Sequence, residues 1–455
     1  MTFIDGLLIF FSVFFAYFLI VYIFHKKGIF KKYNISFYGP GLLIRTTKFR
    51  GFIKKISSIK KFWRLYGNFS IAFCLVIMIF MVVIFIEQLW LLYGLSPEIK
   101  EILPGPDMML VLPGINPLLP LEYLWFIIIA IAIAIIAHEF SHGILTYASD
   151  LKIKSLGILY LIIPIGAFVE PDEEELKKTK ASKRMRVFAV GPMANFIVAF
   201  VALLLLSFVF MSAAQPIEGG DVLYVYDETP AKEIGLTSGS VIISLNDTNA
   251  YNISNLRDLL DKTNPGQKVN ISFIKEGTII KKNVTLASYY DYIEPKNDSY
   301  KNISFLGIIF NTYKKDFTSS LQNPFTYKFP EGFLNLYSIP FMGYFSGYNP
   351  ISKPFTYTYH INGLLAFLPN DSFWIFVNVL YWIFWLNLAV GLFNSLPIIP
   401  FDGGFVLRDI IGISVKKIKK DISDERKEKI VKKISLTISL IVLFLVLFPF
   451  FFKYI

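Results

Sequence analysis

Six long apolar stretches alternate with polar segments along the chain. They lie near residues 3–24, 70–94, 123–148, 187–213, 372–396 and 433–452. About 20 apolar residues suffice for a helix to cross a bilayer, so the pattern predicts a polytopic α-helical membrane protein with about six transmembrane helices. The run 156–170 is shorter and is interrupted by glycine and proline. This favours a membrane-associated β-hairpin or a re-entrant element.

Basic residues are concentrated in three segments that flank the apolar stretches, namely 25–66, 177–186 and 416–433. Lysine and arginine beside transmembrane helices mark the cytoplasmic side. Six alternating spans put all three blocks on that side, and they put residues 95–122 and 214–371 outside. The sequence therefore predicts a multi-pass cell-membrane protein with one long exterior segment.

The amino-acid composition supports assignment to the class of membrane proteins and indicates which kinds of binding partner to expect. Of the 455 residues 54% are hydrophobic, the mean hydropathy is +0.54 and the formal net charge is +11. The positive charge lies beside apolar spans and no nucleic-acid-binding motif occurs, so we expect a lipid bilayer as the partner and no nucleic acid. A single cysteine, Cys74, excludes an intrachain disulfide framework and a cysteine-built zinc site.

The exterior segment divides into a β-rich part, 215–310, and an aromatic-rich extension, 311–370. The first part alternates short β-branched runs with one amphipathic stretch, NISNLRDLLDKT, which predicts a small α+β domain. It resembles a PDZ domain at Pro230, Ala231, Gly235, Leu236, Gly239, Ile242 and Asn246. Ser240 replaces the acidic residue usual after the last glycine. The resemblance implies a peptide ligand, the alternative being a small domain without one. We expect the extension either to be a packed part of the exterior segment or to lie on the membrane surface.

His138, Glu139 and His142 interrupt the third apolar stretch in the pattern H-E-x-x-H. Two histidines four positions apart lie on one face of a helix, so both rings can reach one metal ion. Glu139 lies about 100° further round the helix, where it suits a base acting on water rather than a third ligand. Ionisable residues inside a membrane are expensive and usually mark function. The pattern therefore predicts a zinc site.

A zinc site built on two histidines needs a third protein ligand at membrane depth. Asp402 follows Pro397 and Pro400, which stop the fifth apolar stretch from continuing as a helix, and it precedes Gly403. An aspartate at a helix start can be preorganised by backbone N–H groups as a ligand, or it can simply cap the helix. We expect ligation, because the two-histidine helix lacks a ligand.

These motifs together resemble the site-2 protease family of intramembrane zinc metalloproteases. The family's N-x-x-P-x-x-x-x-D-G motif is matched by Asn394, Pro397, Asp402 and Gly403, and its G-P-x-x-N motif by Gly191, Pro192 and Asn195. The resemblance divides the catalytic membrane core into residues 121–214 and 371–412, with the PDZ-like insert between them. Residues 1–120, with two helices and a basic loop, and residues 413–455, with a basic segment and the last helix, flank the core.

The resemblance implies cleavage of a peptide bond in or beside the transmembrane segment of a membrane-protein substrate. Zinc bound by His138, His142 and Asp402 would activate water, and Glu139 would carry its proton to the leaving amine. Asn394 would hold the substrate or its oxyanion, or else satisfy backbone groups freed where the helix breaks. Gly191, Asn195, Pro397 and Gly403 are expected to position the substrate, although Asn195 also suits a hydrogen bond between helices. The run 156–170 is a candidate edge for an extended substrate.

Two other functions fit parts of the pattern. A membrane H-E-x-x-H protease of another kind would take a glutamate from a later helix as its third ligand, and no later span offers one. A zinc-stabilised scaffold or transporter would use the PDZ-like domain to hold partners, but it would gain nothing from Glu139. Both alternatives are therefore disfavoured.

Overall fold

A computed structural model describes residues 3–32, 35–38, 41–96, 121–161, 163–292 and 298–452. The chain forms two compact units, Met1–Val201 with Trp382–Ile455, and Ala202–Tyr381. The helices are, in chain order, α1 Phe3–Lys26, α2 Ile29–Lys32, α3 Arg50–Ile56, α4 Lys60–Tyr93, α5 Leu124–Ala148, α6 Glu173–Lys178, α7 Ala181–Leu204, α8 Pro230–Glu233, α9 Ile253–Leu260, α10 Lys314–Gln322, α11 Glu331–Ser346, α12 Asn370–Asn394, α13 Asp402–Ile418 and α14 Asp424–Phe452.

The strands of the described residues are short. They are β1 Ile35–Tyr38, β2 Gly41–Thr46, β3 Ile153–Leu161, β4 Ile163–Pro171, β5 Ala214–Pro216, β6 Gly220–Val225, β7 Val241–Leu245, β8 Thr248–Asn249, β9 Lys268–Lys275, β10 Thr278–Thr285, β11 Ala287–Ser288, β12 Ser304–Phe305, β13 Ile308–Phe310 and β14 Tyr359–Ile361. Short 3-10 turns lie at Leu121–Tyr123, Tyr289–Asp291, Asp298–Tyr300, Phe355–Thr358 and Gly363–Leu365, and a π-helical segment at Leu205–Met211.

Five helices of the described residues are long and apolar enough to cross a membrane. They span Lys60–Tyr93, Leu121–Ala148, Ala181–Met211, Asn370–Asn394 and Asp424–Phe452, and each matches a predicted stretch. The first predicted stretch falls on α1, whose apolar part Ser12–Lys26 is shorter than a span within the residues searched. The chain is thus a multi-pass helical membrane protein, and its sixth span stays a prediction. The first predicted exterior segment lies mostly outside the described residues.

A four-stranded antiparallel sheet in the first unit has the order β1-β2-β3-β4. Strands β3 and β4 come from the run 156–170 with its flanks, and they pair directly as neighbours. Strands β1 and β2 come from the basic segment 25–66, for which the sequence indicated only a loop, and β2 pairs with β3 from Leu42–Tyr160 to Thr46–Leu156. Strand β4 therefore lies at an edge of the sheet.

A buried apolar cluster joins α3, α5, β3 and α7 in this unit. Its members are large aliphatic side chains, namely Ile53, Ile144, Leu145, Leu151, Ile153, Leu156, Val187 and Val190. Between membrane-spanning helices such side chains associate by close van der Waals packing rather than by transfer from water, and this packing holds the second half of α5 against α7 and the sheet. This contact fixes the position of the H-E-x-x-H helix.

The break after α12 turns the chain so that α13 can start beside it. Proline cannot donate a backbone hydrogen bond, and Pro397 and Pro400 follow the last helical residue, Asn394. A Cβ on Gly403 would lie 2.3 Å from the carbonyl oxygen of Ser395, and one on Gly404 would lie 2.5 Å from the carbonyl carbon of Ile398. These glycines let the first turn of α13, which carries Asp402, pack directly against the break.

The second unit is built on a twisted antiparallel sheet with the order β10-β9-β7-β6-β13, and β8 pairs with β7. Helix α9 buries Leu256 against the core of this sheet. The aromatic-rich extension packs within the same unit, where β14 pairs with β5. Lys314 on α10 donates to Asp221 Oδ1 on β6 at 2.6 Å and to the carbonyl oxygen of Thr358 at 3.0 Å. Burial lowers the pKa of Lys314 and raises the pKa of Asp221.

Candidate metal centre

His138 and His142 lie one turn apart on α5 and point the same way. Their ring centroids are 4.7 Å apart and the rings meet edge to face at 81°. Asp402, the first residue of α13, reaches both: its Oδ2 lies 3.0 Å from Nε2 of His138 and 3.3 Å from Nε2 of His142. The structure thus brings together residues of the two sequence motifs, about 260 positions apart in the chain.

The other nitrogen of each ring is held by a hydrogen-bond acceptor. Nδ1 of His142 donates to the carbonyl oxygen of Val187 at 2.6 Å, and Nδ1 of His138 donates to Oδ1 of Asn195 at 2.7 Å. A neutral imidazole carries one proton, so both protons lie on Nδ1 and both Nε2 atoms present a lone pair. Such partners orient histidines that ligate metals.

Asn195 is oriented in turn by two further groups. Its Nδ2 donates to the carbonyl oxygen of Ala134 at 2.9 Å and to Oδ1 of Asn387 at 3.1 Å, so its Oδ1 faces His138. Asn387 donates from its own Nδ2 to the carbonyl oxygen of Ile383 at 2.8 Å, which leaves Oδ1 for Asn195. Asn195 and Asn387 are both fully buried. Asn195 therefore lies behind His138 and links helices α5, α7 and α12 by hydrogen bonds, and its contact with a substrate stays a prediction.

Sequence reasoning did not single out Asn387. The signal was nevertheless there, because Asn387 lies two turns before Asn394 in an apolar span and a buried amide in such a span needs a partner. The two backbone groups that serve the site, the carbonyl of Val187 and the N–H of Val169, carry no side-chain signal at all. Only the packing of α7 and β4 against α5 identifies them.

The donor set fits a zinc ion. Two Nε2 lone pairs and Asp402 Oδ2 converge, and this buried oxygen has no hydrogen-bond partner among the described residues. Three acceptor atoms this close repel one another unless a cation lies between them, and a metal ion fits this role because the ring protons are already on the two Nδ1 atoms. A tetrahedral zinc site with bonds of about 2.05 Å has ligand atoms roughly 3.3 Å apart, close to the observed spacing.

Gly191 keeps this space open. It lies on the face of α7 between Val187 and Asn195, and a Cβ built on it would be 2.6 Å from His142 Nε2 and 2.7 Å from His138 Nε2. Any side chain here would occupy the space in which the ligand atoms converge. Gly191 therefore lies directly against both histidines, and its role in positioning the substrate stays a prediction.

Glu139 lies beside the two histidines, and one ligand atom of each of the three residues lies within 4.8 Å of the others. Its side chain is half-buried, and its Oε2 accepts a hydrogen bond from the backbone N–H of Val169 on β4 at 2.9 Å. A carboxylate held next to a metal but turned toward a strand edge can take a proton from water at the centre. Its hydrogen bond to Val169 distinguishes Glu139 from Asp402, whose Oδ2 has no hydrogen-bond partner among the described residues.

Asn394 and Pro397 lie at the helix break that precedes Asp402. Nδ2 of Asn394 donates to the carbonyl oxygen of Val390 one turn earlier, at 3.1 Å. This is the bond expected if Asn394 satisfies backbone groups at the break. Pro397 is buried, and its carbonyl oxygen accepts from Ser439 on α14 at 3.3 Å. Pro397 and Gly403 thus hold the segment that carries Asp402.

Two histidines and a glutamate on a helix of membrane-spanning length, joined by an aspartate at the start of the shorter helix α13, are the residues of a membrane-embedded metallopeptidase. A sequence model of peptidase family M50 matches residues 126–442, which is more than half of the chain. The chain therefore belongs to peptidase family M50, and the family prediction made from the motifs is confirmed.

One of the relatives that the chain matches is named a zinc metalloprotease. The chain is 25% identical over 375 residues to an uncharacterized protein of Methanocaldococcus jannaschii, which covers 81% of this chain and 78% of that protein. It is 26% identical over 246 residues to the zinc metalloprotease RasP of Shouchella clausii, with 53% of each chain covered. Among solved structures, the PDZ domain of an SdrC-like protein from Listeria monocytogenes matches with 17% identity and a TM-score of 0.18, covering 20% of this chain and 87% of that one.

Proposed function

We propose that the protein is a zinc-dependent endopeptidase that cleaves membrane-protein substrates within or beside their transmembrane segments. The observation that carries this proposal is the convergence of Asp402 on His138 and His142 beside Glu139, the last three lying on a helix long enough to span a bilayer. A scaffold or transporter needs no glutamate beside the metal, and membership of a peptidase family argues against both.

His138, His142 and Asp402 would hold the zinc, and Asn195 and the carbonyl of Val187 would keep the two imidazoles in the ligating tautomer. When bound, zinc supplies the Lewis acid that makes water nucleophilic near neutral pH. Glu139 accepts the proton of the attacking water and delivers it to the leaving amine. The N–H of Val169 holds Glu139 in the orientation required for both transfers.

The edge of β4 is the proposed binding site for an extended substrate. Backbone N–H groups alternate between the two sides of a strand. The N–H of Val169 is directed to Glu139, so this outward side of β4 runs past the proposed base. A substrate strand added to this edge would present its peptide bonds next to Glu139. This would explain how a helix becomes cleavable, since its peptide bonds are otherwise hidden.

Asn394 is proposed to contact the substrate only after a change of rotamer. Its amide now bonds to its own helix, at Val390. Rotation about its side chain would free Nδ2 as a donor for the substrate carbonyl, and a donor of this kind is worth roughly 10²–10³-fold in rate. Pro397 and Gly403 would act indirectly, by shaping the segment that carries Asn394 and Asp402.

We further propose that the active site lies toward the cytoplasmic side and that the PDZ-like domain is exterior. The basic blocks 177–186 and 416–433 adjoin the starts of α7 and α14 and support this orientation. The pairing of β2, from the basic segment 25–66, with β3 is consistent with it. The PDZ-like domain would bind an extended peptide of a substrate or partner by strand addition.

The test is co-expression of single-span membrane proteins with the wild type, Glu139→Gln and the matched control Glu122→Gln, which changes an exposed glutamate near the start of the same span. We expect wild type and control to cleave, and Glu139→Gln to cleave at least about 10²-fold more slowly while still binding zinc. Cleavage by Glu139→Gln at the wild-type rate would overturn the proposal.

A further inference from the structure

A cavity of about 780 Å³ lies among α6, α7, α13 and α14, all within the first unit. This volume falls within the roughly 300–1,000 Å³ typical of ligand pockets. Five basic and two acidic side chains line it, namely Lys177, Arg184, Arg408, Lys416, Lys427, Asp409 and Glu428. We refer to this space as the basic cavity. None of these residues belongs to the metal centre or takes part in the proposed cleavage.

Both acidic groups of the basic cavity are already paired. Asp409 accepts from Nε of Arg184 at 3.1 Å, and Glu428 accepts from Arg408 at 2.8 Å. Lys416 and Lys427 have no acidic partner within the described part of the chain. The net charge of the lining is positive, and Lys416 and Lys427 offer their charges to an anion from the neighbouring helices α13 and α14.

The basic cavity also has an apolar side. The rings of Phe188 on α7 and Phe405 on α13 stack with centroids 4.7 Å apart and planes 19° apart. Val431 on α14 is buried beside them, and Ile413 on α13 is 48% exposed. A small inorganic anion would leave this apolar surface uncovered. A ligand that is anionic at one end and apolar at the other would match both halves.

The position of the basic cavity indicates where such a ligand comes from. Helices α7 and α14 are membrane-span candidates, and Arg184 and Lys427 are each the fourth residue of their helix. The cavity thus lies at the ends of two spans, where lipid headgroups meet the protein. Basic pockets between transmembrane helices on the cytoplasmic side bind anionic headgroups.

We propose that the basic cavity binds an anionic phospholipid, with its phosphate between Lys416 and Lys427 and an acyl chain against Phe188 and Phe405. The lipid would bridge α13 and α14. Because Arg184 and Asp409 in the same cavity connect α7 to α13, and α13 begins with the zinc ligand Asp402, the bound lipid would stabilise the packing that positions this ligand. The inference requires spanning helices but no peptidase activity.

The experiment is native mass spectrometry of the purified full-length protein in neutral detergent, titrated with dioctanoyl phosphatidylglycerol, dioctanoyl phosphatidylcholine or inorganic phosphate. The variant is Lys416→Gln with Lys427→Gln. The control, Lys417→Gln with Lys432→Gln, removes two exposed charges from the same helices outside the cavity. Circular dichroism and zinc content establish that each variant is folded.

We expect one tightly bound phosphatidylglycerol per wild-type or control protein, and about 30-fold weaker binding by the cavity variant, which corresponds to about 2 kcal/mol for two lysines. Equal affinity for the two lipids would overturn the proposal, as would an equal loss in the control. Inorganic phosphate that binds as tightly as phosphatidylglycerol would also overturn it, because the apolar side would then contribute nothing.

Discussion

Replacing Gly191 by alanine adds one methyl group at the closest approach of α7 to the metal centre. The added carbon would lie 2.6 Å from His142 Nε2 and 2.7 Å from His138 Nε2. Nonbonded heavy atoms prefer separations of about 3.5 Å or more, so the methyl or both rings must shift by roughly 0.8 Å. The buried cluster around Val187 and Val190 on the same helix resists this shift.

We expect Gly191→Ala to bind zinc at least about 100-fold more weakly, since losing even an outer partner of a ligand costs about 10–100-fold. The zinc-free protein should lose at most about 2 kcal/mol of stability, because overpacking costs about 1–3 kcal/mol and alanine favours a helix over glycine by about 1 kcal/mol. The matched control is Gly51→Ala in helix α3, where an added Cβ meets nothing within 4 Å.

The assay is competition for zinc with a chelator of known affinity, together with thermal unfolding of the zinc-free protein. The expected result is a loss of zinc affinity in Gly191→Ala alone, with the zinc-free forms of all three proteins still unfolding cooperatively. If Gly191→Ala held zinc as tightly as the wild type, then the histidine nitrogens and Asp402 would not converge on a metal next to α7, and the description of the centre would be refuted.

Three further changes test other parts of the structure. Asn387→Leu should weaken zinc binding by about 10–100-fold, because Asn195 loses the partner that orients it toward His138. The same chelator competition measures this affinity. An affinity equal to that of the wild type would show that Asn387 and Asn195 do not orient His138. Val169→Pro removes the N–H that holds Glu139, and the sheet stays intact because β4 is an edge strand. The rate of substrate cleavage should fall while the zinc content stays constant. Unchanged cleavage would contradict the proposed role of the β4 edge. Lys314→Met leaves Asp221 buried and unpaired, at a cost of about 3–5 kcal/mol. The rate of amide hydrogen exchange in residues 220–225 should rise in Lys314→Met. It should return toward the wild-type rate in the double variant Asp221→Leu with Lys314→Met. If Lys314→Met alone exchanged as slowly as the wild type, the pairing of Lys314 with Asp221 would be contradicted.

The sequence indicated which side chains come together better than it indicated the structure that supports them. His138 and His142 follow from helical spacing, and Asp402 follows from the lack of another acidic group placed to be the third ligand at membrane depth. The orienting role of Asn195 and the existence of its partner Asn387 depend on how three helices pack, which no local pattern encodes. Gly191 was singled out from a motif, but its closeness to the zinc ligands required coordinates.

The four-stranded sheet of the first unit and the aromatic-rich extension 311–370 also depend on contacts between distant residues, which the sequence alone does not reveal. Strand β2 pairs with β3 across more than 100 residues of chain, and a six-residue run in a basic segment gives no sign of such a partner. In the extension, Lys314 is buried against Asp221, although lysine is almost never buried unless it is paired. Its partner lies 93 positions away, so composition alone predicted only an aromatic-rich segment.

The central claim is that one zinc centre formed by His138, His142 and Asp402, with Glu139 as base, hydrolyses peptide bonds in membrane segments. It is tested most directly by reconstituting the zinc-loaded protein with a single-span substrate in lipid vesicles and mapping the products by mass spectrometry. We expect new termini within or beside the substrate's transmembrane segment, formed by the wild type and absent with Glu139→Gln. Products cut only in soluble segments, or formed equally by Glu139→Gln, would contradict the account.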